Sequence, residues 1–223
     1  MENKMAQSIS VYNKVVFCDK NVGKKDDVKL VSELKVANKV GSILELATSL
    51  DNLNNVQQKD YNFVMVCGHG GPGVQGVGSK RNPEYTKGKD FCGGDLDDVA
   101  NEINMIANAL DTTKAVKPVF FLGGCEVGCD DEGSALLTEL STRLPNVVVV
   151  AATDTLGFSQ VHFKKLLVAV NILKTHKQKL STEPPGFKFA YNGNVVPESK
   201  VQSVSGVNAS NLIGELTSIN SRN

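Results

Sequence analysis

Residues 61–71 read YNFVMVCGHGG and residues 116–128 read VKPVFFLGGCEVG. Each opens with a short run rich in β-branched and aromatic side chains, over 61–67 and 116–122, and each run stops at glycine. Runs of this kind suit strands buried on both faces of a parallel sheet. Between them a Gly-rich segment from Gly68 to Gly94 leads into a helical pattern that starts near Asp95. Leu96, Val99, Ile103, Ile106 and Leu110 fall on one face of that helix. Strand, helix, strand in this succession predicts a right-handed crossover and a parallel α/β sheet.

The same pattern extends in both directions. Toward the start, residues 11–18 (VYNKVVFC) predict a buried strand and 19–23 a polar turn. A helix is expected from Asp26 and Asp27 onward, with Val28, Val31 and Leu34 at helical spacing. Residues 34–40 (LKVANKV) alternate like a short strand, and Ile43, Leu46, Ala47, Leu50 and Leu53 mark an amphipathic helix. Beyond the second run, 134–144 read as helix, Pro145 and Asn146 stop it, and 147–152 (VVVVAA) read as another buried strand. The basic stretch 161–180 is expected to be helical. Asn192-Gly193 within 187–196 (FKFAYNGNVV) is a hairpin or edge-strand signal. A last helix is expected within 207–223, capped by Asn208 or Ser210. With no internal repeat and no long linker, the 223 residues are expected to form a single domain with its core over about 10–196.

Composition narrows the function classes. Lysine plus arginine and aspartate plus glutamate number 24 each, so the net charge is zero, against the basic excess of a nucleic-acid binder. Hydrophobic residues at 41% and charged residues at 22% are ordinary globular usage, which excludes a disordered chain. No apolar stretch approaches the roughly 20 residues of a membrane span. The opening MENKMAQSIS lacks the apolar core of a signal peptide, and a cytoplasmic location is expected. The five cysteines are odd in number and irregularly spaced, which predicts reduced thiols rather than a disulfide framework.

Chemistry enters where the two quoted runs end. In open parallel sheets, ligands sit beyond the carboxyl ends of the strands. His69 and Cys125 both fall at such ends, and neighbouring strands lie about 5 Å apart. A thiolate is the attacking form of cysteine, and a nearby histidine supplies it as base or as imidazolium partner. Flanking glycines let backbone amides approach a substrate carbonyl, and the amides of Gly70 and Cys125 are the candidates for an oxyanion hole.

FVMVCGHGG and PVFFLGGC resemble the two hallmark motifs of the caspase-like cysteine peptidases, which include caspases, legumains, gingipains, separases and self-processing protease domains of large bacterial toxins. The resemblance implies a three-layer α/β fold with helices on both faces of a mostly parallel six-stranded sheet. Its strand order would be 2-1-3-4-5-6, with the last strand antiparallel. It matches His69 to the catalytic histidine, Gly70 to the oxyanion-hole glycine and Cys125 to the nucleophile. The implied function is endopeptidase cleavage of a protein or peptide substrate through an acyl-enzyme, with self-processing in the 71–94 loop near Lys80, Arg81, Lys87 and Lys89. Gly123-Gly124-Cys125 stands where true caspases carry Gln-Ala-Cys, so the bacterial and toxin-borne members are the nearer match, and delivery into a host cytosol is a second expected location. By the same likeness the primary specificity pocket would be lined by Asp19, Gly123, Thr153 and Asp154, and acidic residues there favour a Lys or Arg side chain. No cofactor is required; a polyanion activator such as inositol hexakisphosphate is the expectation for the basic surface of Lys164, Lys165, Lys174, Lys177 and Lys179.

Two other readings compete. His69-Gly70-Gly71-Pro72-Gly73 also resembles the oxyanion loop of prolyl-iminopeptidase-type α/β-hydrolases, with Gly124-Cys125 near their nucleophile elbow, although the G-x-S-x-G spacing is one residue too long. Asp154 with His162 or His176 would complete that triad. The third is a caspase-like fold that serves as a binding scaffold. Cys129, four residues after Cys125, suggests a metal pair, but no second pair exists to complete a zinc site. Cys18 and Cys67 are expected as core thiols, Cys92 as either exposed or structural, and His162 and His176 as solvent-facing.

Overall fold

The computed structural model describes residues 12–21, 37–57, 61–78, 85–160, 168–172 and 186–217. Seven strands form the main sheet: β1 (Lys14–Asp19), β2 (Ala37–Val40), β3 (Phe63–Cys67), β7 (Val119–Gly123), β8 (Val148–Ala152), β11 (Phe187–Tyr191) and β12 (Asn194–Val196). The five intervening strands lie outside it: β4 (Gly70–Gly71), β5 (Val74–Gln75) and β6 (Phe91–Cys92) make a small antiparallel sheet, and β9 (Leu156–Gln160) pairs with β10 (Val168–Ile172). The main order is β12-β11-β8-β7-β3-β1-β2. Neighbours from β2 through β8 are parallel, whereas β11 runs antiparallel to both β8 and β12. The order differs from the expected six-stranded one by an additional edge strand. Residues 187–196 turn back on themselves at Asn192 and Gly193, both at positive φ, and so contribute two strands where one was expected.

Side-chain alternation along each central strand explains the layers. In β7, Phe120 and Leu122 join one apolar cluster while Val119 and Phe121 join the other; β3 divides Val64 and Val66 from Phe63, Met65 and Cys67 in the same way. The first face is covered by α1 (Ile43–Gln57), a 3₁₀ turn (Leu96–Val99), α2 (Ala100–Ala109) and α3 (Asp130–Arg143). The second is covered by α4 (Glu198–Ser205) and α5 (Ala209–Thr217) through Val201, Val207 and Leu212. The molecule is thus a mixed α/β structure with helices on both sides of a mostly parallel sheet. Edge-to-face ring pairs set Phe91 of the small sheet on Phe120, and Phe187 of β11 on Phe121, both at the centre of the main sheet.

Several elements differ from their sequence-based outlines. Helix α3 starts at Asp130, four residues before the expected 134, because Asp130, Asp131 and Glu132 place negative charge at its first turn. The segment 168–172, expected within a helix, is a strand paired with β9 in the register Val168↔Gln160 to Ile172↔Leu156. Its V-A-V-N-I sequence puts β-branched residues at every second position, and that preference for strand prevails there. The rest of 161–180, the expected helix at 26–34 and the end of the tail lie outside the described residues. Helix α4 had no counterpart in the sequence reading. Asn208 caps α5 through its Oδ1, which accepts from Asn211 N at 2.9 Å.

Candidate active site

Strands β3 and β7 pair in parallel from Phe63↔Val119 to Cys67↔Gly123. His69 and Cys125 therefore stand the same two-residue step beyond a matched pair, at the carboxyl end of adjacent strands. Their loops touch. A Cβ on Gly70 would lie 2.5 Å from Val127 Cγ2 and 2.7 Å from the Cys125 carbonyl oxygen, and one on Gly124 would lie 2.8 Å from Gly70 Cα. Only glycine at both positions allows this approach.

Gln75, fully buried, locks the two loops together. Its Oε1 accepts from Gly124 N at 2.7 Å and its Nε2 donates to Gly76 O at 2.8 Å. Gly76 N donates to His69 O at 2.7 Å, and Gly70 pairs with Gln75 across the hairpin. In an antiparallel ladder the next pair after such a bond directs its amides outward, so the Gly70 N–H lies off the ladder. Among the described residues no acceptor takes it.

The turn bearing Cys125 is sewn to the end of β8: Glu126 N donates to Asp154 O at 3.1 Å and Gly128 N to Ala152 O at 2.8 Å. Glu126 takes a left-handed φ of 59° to make this turn. The chain then continues past the sulfur. Leu156 N donates to Cys125 Sγ at 3.4 Å, and Sγ lies 3.7 Å from Leu156 O. The half-buried Cys125 thus has an N–H donor aimed at the atom that would carry charge as thiolate.

A comparison with family models, curated proteins and solved structures finds no match.

The expected pocket residues fall in different settings. Gly123 is the buried last residue of β7. Thr153 and Asp154 follow β8 directly; Thr153 N donates to Gly186 O and the Asp154 Oδ1 accepts from Thr155 N at 2.6 Å. Asp19 ends β1, beyond β3 from Cys125, at only 1% exposure, and its Oδ1 accepts from Asn21 N at 2.7 Å. Cys18 and Cys67 are buried cross-strand partners, and burial, with Cys18 beside it, pushes the Cys67 thiol well up. Cys129 is buried at the N-terminus of α3. Cys92 is half-buried in β6, its thiol pushed up to about 11 by burial and by Asp90 and Asp95. No three His, Cys, Asp or Glu among the described residues are grouped to hold a metal, and no helix there is long and apolar enough to cross a membrane. His162, His176 and the lysines from Lys164 to Lys179 lie outside the described residues.

Four residues at the site escaped the sequence reading. Gln75 acts through a buried side-chain amide whose partners lie on other loops, and Leu156 through its backbone N–H; sequence carries no signal for either. Glu126, next to the cysteine, has its carboxyl raised by burial and then by Asp154 and Asp130. Tyr85 brings its hydroxyl within 3.3 Å of where a Gly71 Cβ would be; an aromatic in a Gly-rich loop was its only clue.

Proposed function

We propose that the chain is a cysteine endopeptidase of caspase-like type, with Cys125 as nucleophile and His69 as its acid–base partner. The observation that carries this reading is the Cys67↔Gly123 register together with the Gly70–Gly124 approach, which sets Cys125 and His69 side by side beyond the carboxyl ends of two adjacent central strands. Sγ attacks the scissile carbonyl carbon and its proton passes to His69. On this reading the oxyanion develops beside the Gly70 N–H and the Cys125 amide, which stabilise it. Collapse of the tetrahedral intermediate breaks the C–N bond as His69 returns the proton to the leaving amine. Water then hydrolyses the thioester, with His69 taking its proton. Asp154, whose carbonyl holds the Cys125 turn, and Asp19, buried at the end of β1, are the acids that would attract a Lys or Arg side chain at the cleaved bond.

The test is a peptide-library digest by the native protein and by Cys125→Ala, joined to iodoacetamide labelling read by mass spectrometry. Cleavage by the native protein alone, with alkylation concentrated on Cys125 and slowed in His69→Ala, is the expected result. His69→Ala should lower kcat/KM by about 10²- to 10⁴-fold. No cleavage by either protein, with slow and even labelling of several thiols, overturns the reading in favour of a binding scaffold.

A further inference from the structure

Tyr85 has no part in the steps just described, yet the fold delivers it to them. The buried Asp90 carboxylate folds its loop back: Oδ1 accepts from Val77 N at 2.7 Å and Gly78 N at 2.9 Å, and Oδ2 from Thr86 N at 2.8 Å. This clasp holds the half-buried phenol against the β4 hairpin, its oxygen 3.3 Å from the position of a Cβ on Gly71. The hydroxyl is also within electrostatic reach of Cys125 and Glu126. A half-buried tyrosine normally pairs its hydroxyl. Here, among the described residues, that hydroxyl makes no hydrogen bond. Burial first, then Cys92, Asp90, Cys125 and Glu126, raise its pKa, so it remains an O–H donor at neutral pH. A donor without an acceptor, fixed beside the oxyanion-hole glycine, suits a ligand that brings carbonyl oxygens.

We propose that Tyr85 is a substrate-binding residue whose hydroxyl donates a hydrogen bond to a backbone carbonyl of the peptide lying across Gly70 and Gly71. The contact rests on the peptidase reading and adds to it a residue that holds the chain beside the bond under attack. Tyr85→Phe keeps the ring and removes only the hydroxyl, so two rates separate the roles. The first is kcat/KM on the best-cleaved library peptide; the second is the rate of Cys125 alkylation by iodoacetamide, which carries no peptide chain to hold. Loss of one neutral hydrogen bond predicts a fall of about 3- to 10-fold in kcat/KM with alkylation unchanged. An unchanged kcat/KM overturns the contact, and so does a parallel fall in alkylation, which would assign Tyr85 to the thiol or the fold. A native protein that cleaves no peptide overturns the peptidase reading and this contact together, whereas an active native protein matched by Tyr85→Phe overturns the contact alone.

Discussion

A methyl group at position 70 would meet Val127 Cγ2 at 2.5 Å and the Cys125 carbonyl at 2.7 Å. The clash falls on the short, stiff Val127 side chain and on the backbone of the nucleophile, neither of which can swing away. Gly70→Ala is therefore expected to cost about 1–3 kcal/mol in urea unfolding. Peptide cleavage should suffer more than stability does, because the strain displaces Cys125 and the Gly70 amide together. Glu126 offers a pH test. Burial, with Asp154 and Asp130, raises its carboxyl pKa in the folded chain, so the folded state holds that proton more tightly than the unfolded state does. The ionised form thus disfavours folding once pH exceeds the folded pKa, and the cost vanishes below the ordinary glutamate range. Glu126→Gln should raise the melting temperature at neutral pH and above, and the two proteins should converge near pH ~4. An equal difference at both ends would show that the carboxyl does not titrate in this way. His69 and Cys125 were legible in sequence because each follows a buried run at a glycine. Glu126 was not, since its role depends on a left-handed turn and on acids brought in from other segments.

Among the elements, the β4–β5 hairpin with its buried Gln75 connects the histidine loop to the cysteine loop. Gln75→Leu keeps the volume but leaves the buried Gly124 N–H without its acceptor. That change is expected to destabilise by about 1–3 kcal/mol, read as a lower urea midpoint at unchanged m. Gln75→Glu should cost as much or more, because it keeps an acceptor but buries charge. A two-residue strand such as β4 or β5 has no length over which a period can be read, so this hairpin left no trace in the sequence pattern. The opposite error arose at 168–172. There the basic residues on either side suggested one long helix, while the V-A-V-N-I alternation within favoured the strand that forms. Asn192-Gly193 was legible for the converse reason, as its turn chemistry is local.

At the scale of the molecule, the alternation of the central strands divides the apolar residues into two clusters, and Phe120 is fully buried at the middle of one of them. Phe120→Ala is expected to cost about 3–5 kcal/mol in denaturant unfolding, more than any substitution at the exposed positions Leu44 or Val204. The parallel core of the fold was legible because its buried strands are unbroken apolar runs with sharp ends. The seventh strand was not, since short edge strands are set by pairing partners rather than by burial. The sheet order has a further consequence. β7 lies at its centre, with β3, β1 and β2 on one side and β8, β11 and β12 on the other. Edge strands fray by local opening, whereas central ones exchange their amide hydrogens only through global unfolding. In deuterated solvent the amides of Val66 and Phe121 should be among the last to exchange, and those of β2 and β12 among the first. His69 and Cys125 are thus rooted in the slowest-opening part of the chain, so fraying at the sheet's outer strands leaves the footing of both residues undisturbed.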